Sequence, residues 1–247
     1  RIITNGYNGS AKKFVNKLKN MGLCDSVDYI IPGAQQAYIT VPKDTVTISR
    51  MAYGYSVELS PLQIVTFYNG IANNGKMIAP VLVKEVRDDK KVIESFETHT
   101  ICNSLCSKRT LKDIKACLHD VVWDNELGTA SISKWKQRKA QSDLVHIAGK
   151  TGTTNNNADG WFIGYTPELT AGAWTGFENE QIHFQYIGNG GGSAAALPIW
   201  GLFMQKVTKD PSLAKYYDKV TFDRPVGYDI DLSCTGDEAA ASGSSAA

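Results

Sequence analysis

Apolar positions recur at steps of three and four in four stretches, and at steps of two between them. That change of period sets the expected elements. Over residues 9–23, Phe14, Val15, Leu18 and Met21 share a helical face, with Ser10 at the N-cap and Gly22 as the stop. A second helix opens in ELSPLQIVTFYNGIANNGK. There Ser60 fits the N-cap, Pro61 the first helical position and Gln63 the third position of a capping box. Leu62, Val65, Tyr68 or Asn69, and Ala72 follow at helical steps, and Gly75 ends the run. Residues 110–123 carry a stripe of Leu111, Ile114, Leu118, Val121 and Val122 behind Thr110 as cap. Residues 196–208 form a closing amphipathic helix with Pro198 in its first turn.

The period is two elsewhere. KMIAPVLVKEVRDDKKVIESFE predicts a hairpin turning at Asp88–Asp89. Val145–Thr154 reads as a strand, NNNADG as a turn, WFIGYT as a second strand, Pro167–Glu168 as a tight turn and LTAGAWTGF as a third strand. Residues 24–55 read as loop with short extended pieces, and the basic residues 131–144 as a solvated loop. The prediction is an α+β fold in which helices cover an antiparallel sheet. Residues 1–232 form one domain, followed by a disordered low-complexity tail, 233–247.

Composition narrows the function little. The 247 residues are 43% hydrophobic and 21% charged, with net charge +1 and a pI near 7.7. That balance gives no reason to expect a nucleic-acid partner. No apolar run approaches the roughly 20 residues of a membrane-spanning helix. Any targeting or anchoring segment is expected outside the chain. Cys24, Cys102, Cys106, Cys117 and Cys234 lack framework spacing and read as buried free thiols, although a disulfide of Cys102 with Cys106 or Cys117 stays open. His99, His119, His146 and His183 share no ligand spacing, so no metal and no cofactor is expected. Trp123, Trp161, Trp174 and Trp200 read as core. GNGGGSAAALP, 188–198, follows the third strand and reads as a connection, with a border of the cleft as the alternative.

The candidate chemistry lies in HIAGKTGTTNNNADGWFIGYTPELTAGAWTGFE. Gly149-Lys150-Thr151 is not a phosphate loop: the earlier glycine that such a loop needs falls on Leu144, and a turn follows instead of a helix. As a strand end, Lys150-Thr151-Gly152-Thr153 offers a cation, two hydroxyls and an unshielded backbone, which suits an anionic peptide terminus and an oxyanion.

The order of motifs resembles the transpeptidase part of class A, bifunctional penicillin-binding proteins. AGKTGTTNNNADGWFIGYTPELTAGAWTGFEN matches that family's Lys-Thr-Gly strand meander. YGYSVELSPLQIVTFYNGIANNGKMIAPVLVKEV is similar to its preceding helix, and LHDVVWDNELGTA to its Val-Val-x-x-Gly-Thr segment. The resemblance implies the penicillin-binding and serine β-lactamase-like fold, lacking its N-terminal part. It implies a D,D-transpeptidase that cross-links peptidoglycan stem peptides and is acylated by β-lactams. On that pattern Lys150 and Thr153 are catalytic, and Thr151, Gly152, Thr153 and Thr154 hold substrate. The parent protein would carry a glycosyltransferase domain and an upstream membrane anchor, and would face the periplasm.

The nucleophile departs from the pattern. Ser10–Lys13, Ser131–Lys134 and Ser212–Lys215 fit Ser-x-x-Lys, yet no Ser-x-Asn follows. GSAKKFVNKLKNMGL is instead similar to the helix after Ser-x-Asn, so the attacking serine is expected outside this chain. Alternatives are a class B transpeptidase or D,D-carboxypeptidase, and a non-catalytic penicillin-binding-like sensor.

Overall fold

The computed structural model describes residues 2–7, 9–23, 37–41, 44–124, 126–131, 146–179, 181–217 and 222. The predicted loop 131–144, apart from Ser131, and the tail 233–247 lie outside these residues, as do Cys24 and Cys234.

The chain runs α1 (Ile2–Gly6), α2 (Ala11–Asn20), β1 (Tyr38–Ile39), α3 (Thr45–Met51), β2 (Val57–Glu58) and α4 (Pro61–Ala72). It continues through β3 (Met77–Ile78), β4 (Glu85–Asp88), β5 (Lys91–Ser95), β6 (Thr100–Cys102) and α5 (Lys108–Trp123). β7 (Ala148–Thr153), β8 (Gly160–Tyr165) and β9 (Thr170–Thr175) follow, then α6 (Ile187–Gly190) and α7 (Ala196–Lys209). The mixed architecture, helices on antiparallel strands, is the predicted one.

β7, β8 and β9 form the antiparallel meander, with Lys150 opposite Ile163 and Thr151 opposite Phe162. Opposed residues share a face of a sheet. Phe162 and Ala173 therefore lie on the face that α7 covers through Leu197, Trp200 and Met204. Phe162 and Trp200 meet edge to face, 5.2 Å between ring centres. Ala148 and Tyr165 lie on the other face, packed with Ile71 of α4 and with Leu111 and Leu118 of α5.

The capping box at α4 forms as predicted: Ser60 Oγ accepts the Gln63 N–H at 3.2 Å, and Gln63 Oε1 accepts the Ser60 N–H at 2.8 Å. Ser10 caps α2. The cap of α5 is Ser107, not Thr110; its hydroxyl accepts the Thr110 N–H at 3.1 Å, so the helix starts earlier. The hairpin forms between β4 and β5, with Asp89 at φ 47 in its turn. Met77–Ile78 leaves it to pair with β6.

The stretch read as loop holds a helix, α3. Its sequence, TVTISRM, is rich in β-branched residues, which hides it. Asp44 sets its start by accepting the Thr47 N–H and hydroxyl, both at 2.7 Å. Ile48 and Met51 join Ala11, Phe14 and Val15 in a separate small core, so α1–α3 with β1–β2 make an N-terminal lobe.

Three burial expectations are corrected. Trp174 is 46% exposed because its indole ties a turn at the sheet's end, whereas Trp200 is core as predicted. Cys102 and Cys106 are half-buried and Cys117 exposed, and all three are free thiols. Ser131 is fully buried, not solvated.

Candidate active site

β7 is an edge strand of the meander with α5 packed beside it, and backbone alternation fixes what its outer edge offers. The Thr154 N–H donates to Asp159 O at 3.1 Å, toward β8. Successive strand residues turn their backbone groups to opposite sides. The N–H and C=O groups of residues 147, 149, 151 and 153 therefore point outward. Two outward carbonyls have partners: Trp123 Nε1 donates to Ile147 O at 2.8 Å, and Lys150 Nζ to Thr151 O at 2.9 Å. The Thr153 N–H faces the same way.

Side chains divide between the faces. Lys150, exposed, lies on the α4 face with Gly152, while Thr151 and Thr153 lie on the α7 face. The lysine and the two threonines meet only along the strand edge. Thr151 Oγ1 is 2.7 Å from Thr129 Oγ1. Thr153 Oγ1 accepts the Gly192 N–H at 3.0 Å, and a Cβ on Gly192 would run into Gly152 O and Trp161 O. The segment 188–198 therefore borders the end of β7, the alternative to its favoured reading as a plain connection.

The asparagine turn gathers three parts of the molecule. Asn156 and Asn157 take φ values of 59 and 58, which asparagine tolerates. Asn155 Nδ2 donates to Tyr55 Oη at 2.7 Å, reaching the loop ahead of α4. Asn157 Nδ2 donates to Phe184 O at 3.3 Å, reaching the β9–α6 loop. Asp159 accepts the Thr154 hydroxyl at 2.9 Å and Trp174 Nε1 at 2.9 Å, so the Thr154 hydroxyl is directed into the turn.

Sequence reasoning placed Lys150, Thr151, Gly152, Thr153 and Thr154 on one strand end, and the structure has them there. It missed Thr129, Tyr55 and Asp159. Neither Thr129 nor Tyr55 sits in a periodic run; a polar side chain beside a glycine was the signal at each.

Ser10 caps α2 on the N-terminal lobe. Ser131 has no exposed surface, and Ser212 is held by Asp210 Oδ1 at 2.7 Å. Among the described residues no cluster of three or more His, Cys, Asp or Glu is arranged to hold a metal ion.

Family comparison identifies the class of protein to which this helix-covered antiparallel sheet belongs. A model of the penicillin-binding protein transpeptidase domain matches residues 5–196, so the chain belongs to that family. Penicillin-binding protein 1A of Aquifex aeolicus is 32% identical over 155 residues, which cover 62% of this chain and 19% of that protein. Penicillin-binding protein 1B of Escherichia coli is 26% identical over 212 residues, 83% of this chain and 23% of that protein. The chain spans about a fifth of these relatives' length. Among solved structures, penicillin-binding protein 2B of Streptococcus pneumoniae superposes with TM-score 0.59 at 20% identity, covering 79% of this chain and 33% of that one. Penicillin-binding protein A of M. tuberculosis, an imipenem acyl-enzyme, superposes with TM-score 0.56 at 20% identity over 78% of this chain and 41% of that one. These likenesses establish the shared fold.

Proposed function

We propose that this chain supplies the substrate-holding wall of a peptidoglycan D,D-transpeptidase. The observation that carries the reading is the outer edge of β7, where Lys150 Nζ and the outward Thr153 N–H lie on one strand end. In the proposed reaction a serine Oγ attacks the carbonyl between the last two D-alanines of a stem peptide. The oxyanion takes the Thr153 N–H. The terminal D-alanine leaves with the proton on its nitrogen. The amine of a second stem then attacks the ester, and the serine regains its proton. Lys150 draws the donor carboxylate by charge, and the Thr151 and Thr153 hydroxyls orient it. Gly152 keeps the strand open to a ligand, and Thr154, tied to Asp159, fixes the strand's end.

The attacking serine comes from sequence outside these 247 residues: Ser10 caps α2, Ser131 is buried, Ser212 is held by Asp210, and no Ser-x-Asn follows any of them. The class A resemblance supports a parent protein with a glycosyltransferase domain, anchored to the membrane and acting on its outer side. Among the described residues no helix is long and apolar enough to cross a membrane. A fluorescent penicillin tests the division of labour: it should label the parent protein and leave the 247-residue chain unlabelled. Covalent labelling of the chain alone would place the nucleophile within it.

A further inference from the structure

We infer that Thr129 is a binding residue for the substrate's terminal carboxylate, acting as one half of a hydroxyl pair with Thr151. The inference deepens the transpeptidase reading and rests on it. Three observations carry it: the rigidity of the turn that holds Thr129, the hydroxyl contact itself, and the position of Lys150.

The turn is fixed on the end of α5. The Gly128 N–H donates to Asp124 O at 3.2 Å, and the Ala130 N–H donates to Val121 O at 3.0 Å. Gly128 sits so close to this helix end that a Cβ would lie 2.8 Å from Val121 O and 3.0 Å from Asp120 O. Ala130 and Ser131 are both buried, at 1% and 0% exposure, so the chain is held on both sides of Thr129. Thr129 itself is exposed. A buried, hydrogen-bonded turn thus presents one solvent-facing hydroxyl.

That hydroxyl lies 2.7 Å from Thr151 Oγ1, across the outer edge of β7. A pair of hydroxyls spends one O–H on the bond between them and keeps the other. Whichever oxygen donates within the pair, its partner has a proton to give outward. The pair therefore offers one outward donor, held by two anchored backbones, with little rotor freedom to lose on binding. Lys150 Nζ sits on the carbonyl of the same Thr151. A carboxylate arriving at this edge meets a cation and a fixed O–H donor together, and hydrogen bonds to an ionised acceptor are the stronger kind. A neutral carboxamide gains far less from the same arrangement, so the pair selects for a free peptide C-terminus.

The test uses the 247-residue chain and two probes, N-acetyl-D-alanyl-D-alanine and its C-terminal amide, with binding followed by NMR titration. Wild type should prefer the acid. Thr129→Val keeps the shape and removes the hydroxyl; it should weaken acid binding by about tenfold and leave the amide unchanged. Thr129→Ser should restore acid binding to within about twofold of wild type. Acid binding by Thr129→Val equal to wild type, an equal loss for acid and amide, or no recovery in Thr129→Ser each overturns the inference. If Lys150→Ala loses the preference while Thr129→Val keeps it, Thr129 has no part and the wall stands. A wild type indifferent between acid and amide overturns both.

Discussion

The sheet with its covering helices and the N-terminal lobe differ in how firmly they are built. The sheet has six-residue ladders and a core on each face, with Phe162 and Val122 at 0% exposure and Trp200 at 1%. The lobe has strand pairs of two residues and a core of Ala11, Phe14, Val15, Ile48 and Met51. Among the described residues, Asn155 to Tyr55, Cys102 Sγ to Asn20 O at 3.7 Å, and Met21 packed against the Ile71 and Leu105 cluster tie it to the rest. Local opening follows the density of buried contacts. The sheet is therefore the firmer region and the lobe the freer one, and Lys150 and Thr153 sit on the sheet.

Breaking the rigid side should have the largest effect. Trp200→Ala removes the ring that packs on Phe162 and the indole bond to Ala171 O at 3.0 Å. It should cost about 4 kcal/mol and lower the urea midpoint of the whole fold. Ile48→Ala should cost about 2–3 kcal/mol. Hydrogen exchange should show protection lost over α1–α3 and kept in β7–β9. Equal loss in both regions would mean that they fold as one unit. Tyr55→Phe deletes the tie to Asn155 and should cost about 1 kcal/mol, with faster exchange in residues 53–60.

The smallest effect is expected at Tyr165. Its hydroxyl is buried with no hydrogen-bond partner, so Tyr165→Phe should be neutral or stabilising by up to about 1 kcal/mol. The same position sets an alkaline limit. Burial pushes the Tyr165 phenol well up, neighbouring Tyr68 adds to this, and burial also raises Tyr68. Unfolded tyrosines lose their protons near pH 10. Above that pH the folded state holds protons that the unfolded state has released, so stability is whole below about pH 10 and falls above it. Urea unfolding at rising pH should show the fall in wild type and a shallower one in Tyr165→Phe.

What was legible in the sequence follows the same division. The short apolar runs WFIGYT and LTAGAWTGF between turn residues mark the meander, and β8 is buried on both faces as such a run requires; Ser60, Pro61 and Gln63 mark α4 through local capping. In the lobe α2 was legible from its apolar stripe and Ser10, but α3 escaped because it is held by tertiary burial of Ile48 and Met51 against weak intrinsic helicity. Lys150, Thr151 and Thr153 were readable as a group because they are contiguous. Thr129 was not, since its link to Thr151 spans 22 residues and depends on how α5 ends. Trp174 was misread because composition marks an indole as core, while its N–H serves Asp159 at the surface.

The most direct test of the wall is the rate at which a fluorescent penicillin acylates the parent protein proposed to carry this chain, with and without Lys150→Ala. Lys150 is exposed on a strand edge, so its loss should leave the melting temperature unchanged. The account predicts a fall in the second-order acylation rate of about 100-fold or more. A parent protein acylated equally fast with alanine at position 150 would contradict it.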